Sequence, residues 1–435
     1  MNILLLGSGG REHAFSRAIN QSKHISRLFI APGNAGTSNC GENVDLNPLK
    51  LDEVYSFCVE NKIDLLIPGN EDPLVAGIVD FIESKNIEFG TSIKVAGPNK
   101  FCAQLEGSKD FAKAFMVKNA IPTALYKTFD ATNIHESEDY LKTLTPPYVL
   151  KADGLAAGKG VIITSNFQEA VDTLNEMILG GMFGSASKSV VIEEFLDGIE
   201  ISVFAIGDGE NYRILASAKD YKRIFDGDLG PNTGGMGAIS PVPFADEVFM
   251  SKVENEIIKP TFEGLRKEGN PFKGFLFLGL MNVAGQPKVI EYNVRMGDPE
   301  TEAIFPRLKT DMIEMLLAIA DGGVDQLALE IDNRTAATIF LVSGGYPGDI
   351  EKGKIIQIDE TKNKENQFIY HAGTKLTNGE IVTNGGRVIA VTSLNSDIKS
   401  ALSDSNELAE LINFDGKFYR RDIGLDLLKY ENESI

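Results

Sequence analysis

Through its first hundred residues the chain repeats one pattern: a short apolar run, a turn rich in glycine or proline, then a helical stretch. Asn2–Leu6 precedes GSGG and a helical Arg11–Asn20, and Arg27–Ala31 ends in Pro32-Gly33-Asn34-Ala35-Gly36. A helix over Asp52–Asn61 leads to a strand at Ile63–Ile67. Asp72-Pro73 then reads as an N-cap with proline at the first helical position. Strand–turn–helix alternation of this kind predicts an open parallel sheet, with ligands at the carboxyl ends of its strands.

GSGGRE invites a nicotinamide-dinucleotide reading, and two absences oppose it. A third glycine is needed where Glu12 stands. An acid must also end the second strand to hold the ribose hydroxyls, and Leu28–Ala31 runs instead into Pro-Gly-Asn. Gly7, Gly9 and Gly10 before a helix still form a candidate phosphate seat, because small residues expose backbone amides at a positive helix end. Gly69-Asn70-Glu71-Asp72, ending the next strand, faces the same crevice.

Composition narrows the class of partner. A formal charge of −20 over 435 residues argues against nucleic acid or an anionic membrane surface, both of which demand a basic face. Local lysines, arginines and amides can still hold a small anion. The length suggests about three domains. Cys40, Cys58 and Cys102 are widely spaced with no C-x-x-C, which fits buried thiols in a reducing compartment. The four histidines form no zinc pattern, and no G-x-S-x-G elbow occurs. Neither a signal-peptide core nor an apolar run of membrane length is present, so the cytoplasm is expected.

A second unit begins near Gln104, with a helix start at 107–116 carrying Lys109 and Lys113, punctuated by Ile121-Pro122-Thr123. Pro146-Pro147 precedes a strand at Tyr148–Lys151 that runs into ADGLAAGKGV. This is not a Walker A loop. Three residues rather than four separate Gly154 and Gly158, and Gly160 stands where Ser or Thr would meet magnesium. The stretch suits a mobile flap, with Lys151 at its base and Lys159 at its tip, closing over a triphosphate. Phe167–Leu179 is an amphipathic helix for core packing. Ser189–Ile192 leads into Glu193-Glu194-Phe195-Leu196, whose backbone can meet an adenine edge while Glu200 reaches ribose hydroxyls. Strands at Ile201–Ile206 and Tyr212–Ser217 lead to a long loop over 219–237, dense in charge and glycine. A long loop inside a compact domain is more often functional than filler. Lys222, Arg223, Asn232 and the amides of Thr233, Gly234 and Gly235 are candidate anion contacts.

Strands follow at Gly274–Val283 and Lys288–Val294, the second opening the run VIEYNVRMGDPETE at 289–302. Alternation puts Glu291 and Asn293 on one face, about 7 Å apart at a rise of roughly 3.3 Å per residue. A carboxylate and an amide oxygen so placed can share one Mg²⁺, a hard cation that bridges to phosphates. Arg295 and the turn Gly297-Asp298-Pro299-Glu300 can orient a charged substrate. Asp311–Ala320 reads as a buried helix. After about Arg334, strands at Ala336–Val342 and Arg387–Val391 and a helix over Ser396–Leu411 suggest a small α+β unit forming one wall of the cleft.

Taken in order, GSGGREHA, APGNAGT, LEGSKDF, KADGLAAGKGV, VIEEFLDGIE, GPNTGGMGA, VIEYNVRMGDPET, HAGT and TNGGRV span nearly the whole chain. Together they resemble the phosphoribosylamine–glycine ligase (glycinamide ribonucleotide synthetase) family of the ATP-grasp superfamily. The resemblance implies an α/β and α+β multidomain fold. A Rossmann-like parallel sheet would occupy 1–103, an ATP-grasp 104–327 with a lid at about 122–193, and a small α+β domain 328–435. It implies ATP-dependent joining of glycine to 5-phosphoribosylamine through glycyl phosphate, in purine biosynthesis, with Mg²⁺ or Mn²⁺, by a cytoplasmic monomer. Matched position by position, Lys109 and Lys151 would hold phosphates, with Gly154, Gly158, Lys159 and Gly160 in the flap. Glu193, Phe195 and Leu196 would hold adenine, Glu200 ribose, and Glu291 and Asn293 the metal. Gly9, Gly10, Arg11, Asn34, Glu71, Asp220, Lys222, Asn232, Thr233, Gly234, Gly235, Arg295, Gly297 and Asp298 would meet substrate, with Arg295 and Asp298 at the reacting centre. One departure is that Phe275–Met281, FLFLGLM, lacks the further metal carboxylate common in the superfamily. Another ATP-grasp carboxylate–amine ligase, or a biotin-carboxylase-like enzyme, would share the grasp but not the 219–237 and 295–301 words. An NAD-binding module is opposed by the missing ribose acid.

Overall fold

The computed structural model describes residues 1–156, 160–359 and 364–431. Five strands, Asn2–Gly7, Arg27–Pro32, Glu42–Asn43, Leu65–Pro68 and Lys94–Val95, form the first sheet, all in parallel register. Asn2–Gly7 is its centre, flanked by Arg27–Pro32 and Leu65–Pro68. A central parallel strand is covered on both faces, and Ile3, Leu4, Leu5 and Leu6 are all fully buried. The helix Gly10–Asn20 leaves the end of this strand. The next expected helix start is displaced. The helix is Glu71–Ala76 with extended Asn70 at its N-cap, so Asp72 lies inside it. Pro73 still sits within the first turn, where its missing N–H has no intrahelical partner to lose.

Residues 126–193 carry a separate four-stranded antiparallel sheet, in the order Tyr126–Asp130, Ser189–Glu193, Tyr148–Ala152, Val161–Thr164. The helix Phe167–Ile178 covers it, burying Ala170, Val171, Leu174 and Met177. With Phe129, Leu150, Val190 and Ile192 these make a core distinct from the main one.

The largest sheet has eight strands, in the order Gln286–Asn293, Lys273–Val283, Ile199–Asp208, Tyr212–Asp220, Gly237–Ser240, Thr335–Val342, Arg387–Asn395, Gln367–His371. The C-terminal strands are thus continuous with those of the middle of the chain, through antiparallel pairing of Gly237–Ser240 with Thr335–Val342. The expected long loop over 219–237 is more ordered than its composition suggests. Arg223–Phe225 and Leu229–Asn232 pair as a short hairpin within it. The helix Met312–Asp321 is capped by the Asp311 carboxylate, which accepts the Ile313 and Glu314 amides. Its residues Met312, Ile313, Met315, Leu316 and Ile319 are buried. Cys58 and Cys102 are buried thiols and Cys40 is half-buried, all unbridged. Among the described residues no helix is long and apolar enough to cross a membrane.

Candidate functional site

The strand Gln286–Asn293 lies at the edge of the large sheet, and its pairing slips by one residue at Ile290. Gly279 pairs with Glu291, while Leu280 pairs with Val289. A bulge leaves one residue out of the ladder and re-aims its neighbours. Here it frees the Ile290 carbonyl, which accepts Lys151 Nζ at 3.2 Å. Beyond the slip, Glu291 and Asn293 keep the alternation that places them on one face. Glu291 lines a small cavity with Glu200, Ser202, Asp220 and Lys222. Asn293 is buried, and its side-chain nitrogen has no partner. Amide oxygen and nitrogen are assigned by their partners, so one free terminus leaves an orientation with the oxygen available to a cation.

Lysines gather around this strand. Lys109 opens the helix Lys109–Lys118, and burial lowers its pKa while Glu291 opposes that shift. Its ammonium reaches the Gly154 carbonyl at 3.5 Å, at the start of the flap. Lys151 Nζ lies 3.0 Å from Glu193 Oε2, so the Glu193 side chain turns inward to the lysines. Its other carboxylate oxygen, Oε1, is buried without a hydrogen-bond partner. Phe195 is 39% exposed and Leu196 half-buried, an open apolar linker. Glu200 pairs with Lys222 at 2.7 Å, which holds its carboxyl below the usual range. Burial pushes the Asp220 carboxyl up, with Lys222 opposing. Partial enclosure pulls Lys222 down, and Asp220, Glu200 and Glu291 more than reverse it. Gly154 and Gly160 flank the flap; a Cβ on Gly160 would come within 2.8 Å of Ala156 Cβ. Gly158 and Lys159 lie outside the described residues.

The run 295–302 reaches the crevice at the end of the parallel sheet. It is no solvated turn, since Glu300, Thr301 and Glu302 are buried in the short helix Glu300–Ile304. The Arg295 guanidinium donates to Glu71 Oε2 at 3.0 Å and pairs with Glu106 Oε1 at 2.6 Å. Arg11 pairs with Glu12 at 2.6 Å. Both arginines donate to the Met296 carbonyl, at 3.1 and 3.2 Å. Burial raises Glu71, but Arg295 and Arg11 bring it down to about 2. Burial carries Glu106 up to about 7, against Arg295. Asp298 meets Arg387 at 3.0 Å. The Gly235 position (φ +114°) packs so closely on this turn that a Cβ would lie 2.4 Å from Pro299 Cδ.

The family models of phosphoribosylglycinamide synthetase match in order: the N domain over residues 1–106, the ATP-grasp (A) domain over 107–301 and the C domain over 336–426. The chain belongs to this family. It is 43% identical to the phosphoribosylamine–glycine ligase of Vibrio cholerae over 427 residues, 98% of each protein. It is 42% identical to a bifunctional purine biosynthetic protein of Schizosaccharomyces pombe, over 99% of this chain but only 56% of that protein. The crystal structure of phosphoribosylamine–glycine ligase from Thermotoga maritima is similar with a TM-score of 0.82 at 37% identity, covering 97% of this chain and all of that one.

Within this synthetase-family fold, several groups near the site are not among the sequence candidates. Arg387 donates to the Gly234 carbonyl at 2.6 Å and the Asp298 carbonyl at 3.1 Å, with its guanidinium over the Phe340 ring. It ties the glycine loop, the acidic turn and the C-terminal strands together; TNGGRV held it, but nothing local marked its reach. Tyr346 accepts the Gly234 amide at 2.9 Å. Lys113, on the same helix as Lys109, shares Glu193 Oε2 at 3.0 Å, and burial lowers its pKa to about 8. Glu300, by contrast, closes the turn that the sequence singled out; burial raises it to about 7, and Ser202 donates to it at 2.9 Å.

Other candidates sit differently from the expectation. The Asn34 amide donates to the Ser8 and His371 carbonyls at 2.9 and 2.8 Å, while its oxygen accepts the Gly36 and Thr37 amides. Its side chain knits the glycine loop to the C-terminal segment. The Gly9 amide donates to Glu12 Oε2 at 2.6 Å, and a Cβ on Gly10 would stand 2.2 Å from Glu302 Oε1. Gly10 therefore has a packing demand of its own. Asn232 is exposed on the hairpin, and Thr233 Oγ1 donates to the Lys222 carbonyl at 2.8 Å. Gly297 lies against Glu300, whose carboxylate a Cβ would meet at 2.3 Å.

Proposed function

We propose that this chain joins glycine to 5-phosphoribosylamine with ATP, yielding glycinamide ribonucleotide, ADP and phosphate in purine biosynthesis. The observation that carries the reading is one continuous run. Residues 289–293 present Glu291 and Asn293 beside Lys109 and Lys151, and 295–298 carry Arg295 and Asp298 into the crevice beside Glu71 and Arg11. Phosphate chemistry and acceptor binding thus sit at two ends of ten residues. Family membership supports the same reaction.

A carboxylate is a poor acyl donor. In this reading the γ-phosphoryl group of ATP passes to a glycine carboxylate oxygen, giving glycyl phosphate and ADP. The amine nitrogen of phosphoribosylamine then attacks the acyl carbon, expelling phosphate and losing a proton. Catalysis of phosphoryl transfer is mostly positioning and charge neutralisation. That accounts for lysines and amide-rich loops in place of a nucleophile and a histidine. Lys109 and Lys151 bind the phosphates, and the flap excludes water from the acyl phosphate. Phe195 and Leu196 flank adenine, and Glu200 exchanges Lys222 for ribose hydroxyls. Lys222, Asp220 and the Thr233–Gly235 amides line the acceptor side with Arg295 and Asp298. Gly9, Gly10 and Arg11 face the acceptor from the first domain.

Glu291 and Asn293 fit a hard divalent cation, Mg²⁺ or Mn²⁺, because they pair a carboxylate with a buried amide that has a free terminus. Such an ion would neutralise charge on the phosphates. We assign residues 1–103, 104–327 and 328–435 to the acceptor, grasp and wall domains, with the lid over 122–193, and read the chain as a cytoplasmic monomer. ADP release should require ATP, glycine, phosphoribosylamine and metal together. Equal release without phosphoribosylamine would reduce the protein to an uncoupled ATPase.

A further inference from the structure

The chain enters the lid through Pro122–Thr123 and leaves it through Glu193–Glu194, and both crossings meet at one buried ammonium. Lys113 Nζ donates to Thr123 Oγ1 at 2.8 Å and lies 3.0 Å from Glu193 Oε2, with 2% of its side chain exposed. The contacts continue on either side. Thr123 Oγ1 donates to the Val289 carbonyl at 2.7 Å. The far side of Glu193 Oε2 holds Lys151, which donates to the Ile290 carbonyl. The chain of bonds runs Val289, Thr123, Lys113, Glu193, Lys151, Ile290, so it starts and ends on adjacent residues of the strand that next presents Glu291. Two backbone bonds brace the same junction: Val289 N to the Pro122 carbonyl at 2.8 Å, and Glu194 N to the Leu125 carbonyl at 2.9 Å.

Lys113 is the one member of this ring that belongs neither to the lid nor to the edge strand; it stands on the helix that also carries Lys109. The lid has its own hydrophobic core, so its packing alone does not fix its orientation on the body. Lys113 reaches Lys151 through the Glu193 oxygen that both share, and it does not line the small cavity beside Glu291. We infer that Lys113 is a positioning residue, a pin that holds both lid crossings and aims Lys151 at the nucleotide phosphates. The inference rests on the ligase reading for its acceptor assay, but not for its nucleotide assay.

The variant Lys113→Met keeps the length and apolar stem and removes the ammonium, while Glu193 keeps Lys151 as a partner. Its KM for ATP should rise at least about 10-fold, because the Glu193 carboxylate that holds Lys151 loses its tie to the body of the protein. KM for phosphoribosylamine should stay within about twofold, because the acceptor crevice is built on other elements. Amide exchange at Leu125 and Glu194 should quicken in the free enzyme. Direct titration with a non-hydrolysable ATP analogue should show the same loss of affinity. That titration stands even where wild type fails to ligate, an outcome that sinks the ligase reading alone. Thr123→Val, a milder cut of the same ring, should move ATP in the same direction by a smaller factor and covers the case in which Lys113→Met does not fold. Equal KM increases for ATP and phosphoribosylamine, or unchanged analogue affinity in the variant that folds, would overturn the pin.

Discussion

Arg295→Met removes the guanidinium that makes direct contact with both Glu71 and Glu106. Methionine keeps much of the stem, so the loss is chiefly of charge. Glu71 accounts for the larger part of the effect. Its carboxyl falls from 4.5 to about 2 because two arginines outweigh burial. Each pH unit is worth about 1.4 kcal/mol, so roughly 3 kcal/mol of stabilisation remains after burial has been offset, with Arg295 the largest contributor. Since Arg295 makes the direct bond, its removal should cost about 2 kcal/mol. A lowered carboxyl stabilises the fold above its ordinary pKa, and that stability disappears as pH falls through about 2. This part of the deficit is therefore complete at pH 5.5.

Glu106 has the opposite sign. Its folded pKa, about 7, lies above the ordinary 4.5, so the proton it retains favours the fold at low pH and that advantage is lost as pH rises through 7. Without Arg295 the carboxyl is raised further, so the variant suffers a second loss only above neutrality, of about 1 kcal/mol. Urea midpoints of both proteins at pH 5.5 and 8.5 measure the two parts. The expected deficit is about 2 kcal/mol at the lower pH and about 3 kcal/mol at the higher, near the low end for breaking a buried ion pair. A deficit of equal size at both pH values, or one under about 0.5 kcal/mol, would show that the carboxylates do not depend on this arginine.

Glu291→Gln should cut turnover at least about 10²-fold with little change in melting temperature, because metal charge stabilisation is worth several kcal/mol; near-normal turnover at limiting Mg²⁺ would make the strand purely structural. Gly235→Ala should destabilise by roughly 1–3 kcal/mol, since alanine at this positive φ also overlaps Pro299. It should raise KM for phosphoribosylamine more than KM for ATP, and thermal melting with paired kinetics tests both. The amides of Gly154 and Gly160 should exchange more slowly at saturating ATP analogue, and unchanged hydrogen exchange there would count against a closing flap.

Local pattern determined the parts of this protein that local forces build. Alternating runs gave the parallel sheet, because the side-chain periods of strand and helix are set by the backbone itself. An acid and an amide two residues apart marked the Glu291–Asn293 face for the same reason. Lys109, Lys151 and Glu71 could be singled out as candidates because each stands at or near the end of an element. What surrounds them was decided by tertiary structure. Glu106 accepts the Val294 amide across 188 positions, and Arg387 reaches Gly234 across 153. No periodicity reports such distances. The inward turn of Glu193 follows from Lys113 and Lys151 meeting at one oxygen, and Asn34 is occupied because His371 folds back upon it. Sequence set which chemical groups were available, through spacing and backbone geometry. Packing set which charges became neighbours, because burial obliges each to find a partner wherever the fold brings one.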